Sequence, residues 1–203
     1  VVDPLGRLTT TTYDAEGRLE SVFGPMQPLT RHSYGANGLL QQVTTATSRL
    51  EYGYDGRGNR TSVVSSSLLV SGSQVTGYGY DSANRLQEEV NPLGHRTTYT
   101  WDAAGNRATK LDANGELTTY SYDDDRRLKE VLFSDGTKYE YGYDSRGHRT
   151  LEKNSSHERT LDYDALGRVE SVTDVTFGKV VTYGYDANGN RASVTAGATT
   201  YRY

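Results

Sequence analysis

Aromatic and polar residues alternate along short segments of this chain, and turns rich in Asp, Asn and Gly separate the segments. Tyr139, Tyr141 and Tyr143 occupy one parity, and charged residues or glycine occupy the other. A period of two is typical of a β-strand, because successive side chains point to opposite faces. The same spacing recurs at Tyr52 and Tyr54, Tyr78 and Tyr80, Tyr99 and Trp101, Tyr120 and Tyr122, and Tyr183 and Tyr185. The pattern predicts strands with two aromatic rows on one face, and equivalent tyrosines that stack from repeat to repeat as ladders.

A seven-residue motif, Tyr-Asp-x-x-Gly-Asn/Arg-Arg/Leu, marks one set of turns, and we number its positions one to seven. Position one is occupied by Tyr13, Tyr34, Tyr54, Tyr80, Trp101, Tyr122, Tyr143, Tyr163 and Tyr185. Consecutive copies lie 20 to 22 residues apart, except for one spacing of 26. A second turn signal, as in Asn91-Pro92-Leu93-Gly94 or Asp3-Pro4-Leu5-Gly6, falls midway in most repeats. Each repeat of about 21 residues therefore supplies two antiparallel strands, or about nineteen in all.

This turn spacing predicts an all-β fold, a ribbon of consecutive antiparallel β-hairpins. No window shows the i, i+3, i+4, i+7 apolar stripe of a helix, and the 22 glycines follow the turn period. Open twisted sheets rarely exceed about ten strands without curling, so we expect the ribbon to curl into a spiral wall or partial barrel. Residues 1–203 are interpreted as a single array of about nine repeats, truncated within the pattern at both ends.

The recurring residues of each motif are interpreted as structural. Asp at position two can accept hydrogen bonds from amides further along the turn, and Gly at position five supplies a left-handed conformation. The predicted structural residues are Tyr13, Asp14, Gly17, Tyr54, Asp55, Gly58, Tyr80, Asp81, Trp101, Asp102, Gly105, Tyr122, Asp123, Tyr143, Asp144, Gly147, Tyr163, Asp164, Gly167, Tyr185, Asp186 and Gly189.

Two features of the motifs are less regular. Asn84 and Arg126 replace the position-five glycine, and because Arg tolerates the left-handed region poorly, we expect the turn at Arg126 to differ. In the strand that leaves a motif, apolar residues such as Leu19 and Val22 lie three positions apart. Either a β-bulge or a switch of face would accommodate that spacing.

Composition narrows the class of protein. Only 34% of residues are hydrophobic, yet 17 tyrosines and a net charge of only −4 do not fit a disordered tail. The excess of 26 acidic over 22 basic residues argues against nucleic acid as a partner. No apolar stretch is long enough for insertion of a helix into a membrane. The first residues carry no signal peptide, and the lack of cysteine excludes disulfides and cysteine-bound zinc.

No catalytic, metal-binding or cofactor-binding residue is predicted. The aspartates recur identically in every repeat, so none is singled out as an acid–base pair, and turn capping is preferred to calcium binding because a complete calcium loop is missing. The four histidines do not recur at ligand spacing, and no helix follows the glycines as phosphate binding would require. The serine-rich stretch at 65–73 is interpreted as a tolerated surface insertion.

The repeated Tyr-Asp-x-x-Gly-Asn/Arg motif resembles that of the RHS or YD-repeat family over essentially the whole chain. The resemblance implies a hairpin ribbon that spirals into a hollow shell. In bacteria such shells belong to insecticidal toxin complexes and polymorphic toxins and enclose a toxin. The related animal teneurins use a similar shell in adhesion.

One family feature is missing from this sequence. The C-terminal core signature of bacterial members, Asp-Pro-x-Gly-Leu, is only superficially similar to Asp3-Pro4-Leu5-Gly6-Arg7, and no toxin segment follows Tyr203. We therefore expect an excised piece of a longer array or a mobile-element remnant.

The resulting hypothesis is a non-enzymatic wall segment of a large secreted or cell-surface bacterial protein, delivered by a secretion system. Its partners would be further repeats of the parent chain and an enclosed toxin or effector. The alternative is an extracellular adhesion module in which loops or exposed aromatics bind glycan or a receptor. A third hypothesis is a repeat enzyme that acts on polysaccharide. Flanking repeats and a toxin domain would favour the first hypothesis, and neighbouring adhesion modules the second.

Overall fold

Consecutive β-hairpins make up the whole of the described chain. The structure is a computed structural model that describes residues 1–2, 4–25 and 27–203. Asp3, in the predicted turn Asp3-Pro4-Leu5-Gly6, lies outside the described residues. Within those ranges there is no helix. The strands are β1 (Thr10–Tyr13), β2 (Leu19–Gly24), β3 (Gln27–Tyr34), β4 (Leu40–Thr44), β5 (Ser48–Tyr54), β6 (Arg60–Ser67), β7 (Ser73–Tyr80), β8 (Leu86–Val90), β9 (Arg96–Trp101), β10 (Arg107–Leu111), β11 (Leu117–Tyr122), β12 (Leu128–Phe133), β13 (Lys138–Tyr143), β14 (Arg149–Asn154), β15 (Glu158–Tyr163), β16 (Val169–Asp174), β17 (Lys179–Tyr185), β18 (Arg191–Ala196) and β19 (Thr199–Arg202).

Each strand pairs with the next strand along the chain, so the order in the sheet is the order in the sequence. The predicted fold class, an all-β ribbon of antiparallel hairpins, is thereby confirmed. The chain separates into two compact units, Val1–Thr98 and Tyr99–Tyr203, with the division inside β9. The first unit contains β1 to β8, and the second contains β10 to β19.

In the eight hairpins whose motif begins with tyrosine, the motif turn is followed by a β-bulge, which decides between the two alternatives left by the sequence. In the first hairpin, Tyr13 pairs with Leu19 and Thr12 pairs with Ser21, so Glu20 is the extra residue. The same shift follows the aromatic residue in other hairpins. Because the bulge inserts one residue, Leu19 and Val22 reach the same face despite their spacing of three.

The two faces of the sheet differ in chemistry in both units. Directly paired residues share a face, so the register assigns each side chain. The aromatic face carries the motif aromatics and their aliphatic partners, as in the row Tyr120, Val131 and Tyr139 across β11 to β13. The polar face carries mainly hydroxyl and charged side chains, as in the pair Thr160 and Thr173.

The sheet has almost no buried core. Val131, with 9% of its surface exposed, is the one buried hydrophobic residue within the described ranges. It lies between Tyr120 and Tyr139 on the aromatic face. Most strand residues are half-buried. The low aliphatic content of the sequence therefore matches a single-layer sheet, in which hydrogen bonds and side-chain contacts between neighbouring strands provide the order.

The serine-rich insertion lengthens a hairpin as well as its loop. Ser65 and Ser66 belong to β6 and pair with Gln74 and Ser73 of β7. The connecting loop, residues 68–72, carries apolar side chains that are largely exposed.

Candidate functional site

The repeated motif turn is the candidate functional site, because it joins each hairpin to the next. Its backbone forms a three-residue hairpin loop. In the turn at Asp164, the amide of Asp164 donates to the carbonyl of Arg168 (2.9 Å), and the amide of Gly167 donates to the carbonyl of Asp164 (3.0 Å). Gly167 has a φ of 77°, in the left-handed region that glycine occupies without strain.

The carboxylate at position two is fully engaged within the turn. Asp164 Oδ1 accepts hydrogen bonds from the amides of Leu166 and Arg168, both at 2.9 Å, and Oδ2 accepts from Arg168 Nε at 2.7 Å. The backbone hydrogen bond from Arg168, aided by its side chain, holds the pKa of Asp164 below its usual value against the opposing effect of burial. Since these oxygens already bind the turn, the geometry agrees with capping.

The structure places the other predicted signature residues in equivalent positions. The aromatic residue ends the incoming strand, and the position-two aspartates make the same turn contacts. These aspartates are Asp14, Asp55, Asp81, Asp102, Asp123, Asp144, Asp164 and Asp186. The position-five glycines, Gly17, Gly58, Gly105, Gly147, Gly167 and Gly189, all have positive φ.

The turn at Arg126 corrects a sequence expectation. Arg126 adopts a φ of 63° and Asn84 a φ of 62°, close to the glycines. The amide of Arg126 donates to the carbonyl of Asp123 (2.9 Å), as in the glycine-containing turns. The expectation that this turn would differ is therefore wrong. The three hydrogen bonds that Asp123 accepts, two from amides and one from Arg127 Nε, hold the turn in place despite the residue at position five.

A hydroxyl–carbonyl bond joins each motif tyrosine after Tyr13 to the preceding motif. Tyr143 Oη donates to the carbonyl of Leu128 at 2.9 Å, and Leu128 is position seven of the motif before it. The equivalent bonds run from Tyr34 to Leu19, Tyr54 to Leu40, Tyr80 to Arg60, Tyr122 to Arg107, Tyr163 to Arg149 and Tyr185 to Val169. Their lengths lie between 2.8 and 3.0 Å. We call this contact the tyrosine clamp.

Where position six is Arg or His, its side chain completes the clamp by covering the ring of the next motif aromatic residue. The Arg127 guanidinium lies 4.9 Å from the Tyr143 ring centre, and Arg168 lies 4.3 Å from Tyr185. Where His148 takes this position, its ring stacks on Tyr163 at 4.6 Å. Each of these position-six groups also donates to, or shares a hydrogen bond with, its own position-two carboxylate. One side chain thus links a turn to the aromatic residue of the next.

Arginine alternates between positions six and seven, a feature that the sequence reasoning missed. When position six is Asn or His, the arginine stands at position seven and covers the tyrosine two residues before the motif. Arg107 over Tyr99 (4.8 Å) and Arg191 over Tyr183 (4.6 Å) are examples. From Tyr54 onward the two arrangements alternate, so the full period is two repeats. This alternation was visible in the sequence, because Asn/His-Arg and Arg-Leu/Val follow each other along the motifs.

The predicted ladder of directly stacked tyrosines is not what the structure contains. The ring–ring contacts of the described residues include Phe133 with Tyr139, His148 with Tyr163, and His157 with Phe177, and none of these joins two motif tyrosines. Motif tyrosines such as Tyr143 and Tyr185 instead pack against guanidinium groups. Arg60 lies near two rings, 5.9 Å from the Tyr52 ring centre and 5.4 Å from the Tyr78 ring centre, on strands too far apart for direct ring contact.

The part of the chain that the structure describes contains no group of three or more His, Asp or Glu side chains placed to hold a metal ion. None of its elements is a helix with the length and apolar character needed to cross a membrane.

Comparison with known proteins identifies the repeat. The family model named RHS Repeat matches residues 80–116 and 163–201, which contain four of the nine motifs. These two stretches are RHS repeats. The family resemblance found in the sequence is thus confirmed. A search of curated proteins finds no match to the chain.

Several solved structures share the fold of this chain. The crystal structure of TcdB2-TccC3-TEV matches 94% of the chain at 15% identity with a TM-score of 0.60. The crystal structure of TcdB2-TccC3 matches 97% at 18% identity with a TM-score of 0.58. The Tc holotoxin pore of Photorhabdus luminescens matches 100% at 18% identity with a TM-score of 0.58. The chain spans only 12 to 15% of the length of those chains.

Proposed function

We propose that this RHS array is a structural wall segment of a larger secreted toxin protein, and that the wall encloses a toxin or effector polypeptide. Its partners are further RHS repeats of the parent chain and the enclosed cargo. The fold shared with Tc toxin structures, of which the array spans 12 to 15%, supports a role as part of a much longer chain. In this role the array needs no catalytic residue.

The observation that carries the proposal is the continuity of the sheet between hairpins. Within each unit every strand pairs with its sequence neighbours, and tyrosine clamps such as Tyr143 to Leu128 join consecutive motifs. Strands about 4.8 Å apart leave no opening through which a polypeptide could pass. A sheet joined at every hairpin is therefore a suitable barrier between a cargo and proteases outside.

The engagement of the motif side chains favours a wall over a glycan-binding module. The hydroxyl of Tyr185 donates to Val169, and its ring is covered by Arg168. A sugar ring that stacked on this tyrosine would have to displace the guanidinium. Since the same contacts recur along the array, the motif aromatics serve the sheet itself.

Protease protection of the full-length protein that carries this array tests the proposal. The intact protein is exposed to a non-specific protease, and surviving fragments are identified by mass spectrometry. We expect a cargo segment outside the repeats to survive as long as the array does. A variant with Tyr143, Tyr163 and Tyr185 all changed to Phe should release that segment to the protease earlier, whereas Tyr139→Phe, which removes a hydroxyl outside the clamps, should not.

Two results would contradict the wall function. In one, no segment outside the array is protected in the intact protein. In the other, the array binds a glycan saturably, and adding that glycan in excess prevents the array from attaching to cells. That result would favour the adhesion alternative.

A further inference from the structure

A polar groove of about 640 Å³ crosses the polar face of the first unit. Its floor includes a continuous row of directly paired residues, one from each of β1 to β5. The row consists of Thr12, Ser21, Arg31, Thr44 and Arg49. The volume falls within the range of about 300 to 1,000 Å³ typical of ligand sites.

Two arginines in this row have donors without acceptors. Within the described ranges, Arg31 has no hydrogen bond, ion pair or ring contact, and its side chain is exposed to the groove. Arg49 Nε is shielded from solvent without an acceptor, and Arg49 Nη1 lies 3.8 Å from the nearest carboxylate oxygen, on Glu51. A shielded donor without a partner costs free energy, so a ligand oxygen that reached it would bind favourably.

The carboxylates near these arginines are already partnered. Glu51 accepts a hydrogen bond from Gln42 Nε2 at 3.2 Å, and Glu20 accepts one from Thr12 Oγ1 at 3.1 Å. The two guanidinium groups belong to strands β3 and β5, whose backbones are about 10 Å apart. The lining of the groove thus carries two guanidinium groups, the Glu20 carboxylate and hydroxyl groups, so positive charge exceeds negative charge. Two cations at this spacing suit a chain that carries more than one carboxylate.

The lining favours a polypeptide over a polysaccharide. Thr12, Glu20, Ser21, Arg31, His32, Ser33, Gln42, Thr44 and Arg49 line the groove. None of them is Tyr, Trp or Phe, so there is no large aromatic platform on which a sugar ring could stack. Guanidinium groups, by contrast, bind carboxylates through two parallel hydrogen bonds.

We propose that this groove binds the carboxylate side chains of an acidic polypeptide segment, with Arg31 and Arg49 as its two cationic contacts. The inference goes beyond the wall function and does not depend on it, because a wall can enclose a cargo without binding it. It identifies the polar face as the face that contacts polypeptide.

Binding of a fluorescent octaglutamate peptide to the 203-residue chain tests the inference. Octaglutamine of the same length provides the uncharged probe, and Arg31→Gln and Arg49→Gln remove the proposed contacts. Arg202→Gln is the matched control. Arg202 also lies on the polar face and pairs with a serine, Ser193, as Arg31 pairs with Ser21, but it is far along the chain from the groove. Circular dichroism of each variant verifies that the sheet is intact, and Arg31→Lys serves as a milder variant if Arg31→Gln does not fold.

We expect saturable binding of octaglutamate at about 0.05 M salt that weakens strongly at about 0.5 M, and no binding of octaglutamine. Arg31→Gln should weaken binding about tenfold, Arg49→Gln by a smaller factor, and Arg202→Gln less than twofold. Arg31→Lys should retain part of the affinity, because it keeps the charge without the planar fork. Equal effects of Arg31→Gln and Arg202→Gln, or no saturable binding at low salt, would overturn the proposal. So would heparin binding that is tighter than octaglutamate binding and equally sensitive to Arg31→Gln, which would assign the groove to a polysaccharide.

Discussion

Replacing Arg126 by glycine is predicted to stabilise the array. Arg126 holds a φ of 63°, and within the described ranges its side chain makes no hydrogen bond, ion pair or ring contact that would be lost. A left-handed conformation costs an L-residue about 1–2 kcal/mol. Glycine avoids that cost, but its greater conformational freedom in the unfolded chain destabilises the folded state by about 0.4–1 kcal/mol. The net gain in the free energy of unfolding is therefore about 0.5–1 kcal/mol.

Asn84→Gly is the matched comparison, because Asn84 has nearly the same φ of 62°. Asparagine tolerates this region, so relief of strain gains little. Its Oδ1 also accepts hydrogen bonds from Asn59 Nδ2 at 3.0 Å and from Arg57 Nη1 at 3.4 Å. Loss of the shorter bond should cost about 0.5–1 kcal/mol. The same substitution at the same backbone conformation should therefore have opposite effects at the two turns.

Urea unfolding followed by circular dichroism measures both changes. Arg126→Gly should raise the midpoint without changing the slope, and Asn84→Gly should lower it. For a chain of this size the thermal midpoint should shift by about 1–4 °C in the corresponding direction. A destabilised Arg126→Gly protein, or two variants that shift in the same direction, would refute the argument that backbone strain dominates at Arg126.

Two further predictions concern the clamp and the turn aspartates. Tyr143→Phe removes the hydroxyl that donates to the Leu128 carbonyl and should lower the free energy of unfolding by about 1 kcal/mol, measured by urea titration. Tyr139→Phe, outside the clamps, is the control and should change it by less than half as much. Acidification should destabilise the array in the pH range below about 4, because the backbone hydrogen bond from Arg168 lowers the folded pKa of Asp164, and the motif aspartates share this direction of shift. The stabilisation is present above the unfolded pKa and is lost as the pH falls through the lower folded pKa. Asp164→Asn should therefore reduce the free energy of unfolding at pH 7 and weaken its decline at acidic pH. An unchanged dependence of the free energy of unfolding on pH would contradict the assigned role of the carboxylate.

The sequence predicted the elements of this fold well because each is encoded locally. An aspartate, a left-handed residue and alternating aromatics lie within a few positions of each motif turn, so the hairpins could be derived from one repeat at a time. The prediction about Arg126 failed because it considered the residue alone. The hydrogen bonds that Asp123 accepts outweigh the strain of one left-handed residue.

Contacts between repeats were harder to predict than the repeats themselves. The acceptor of Tyr143 is the Leu128 carbonyl, and its position depends on the bulge that follows the preceding motif. Sequence spacing allowed a bulge or a switch of face, so it could not identify the acceptor. The stacking of Arg127 on Tyr143 also depends on the distance between hairpins, which the motif of a single repeat does not contain.

Cryo-electron microscopy of the full-length protein that carries this array would test the wall function most directly. We predict that residues 1–203 form part of a closed sheet with polypeptide density enclosed against one of its faces. An array with both faces open to solvent, and no enclosed polypeptide, would contradict the proposed function.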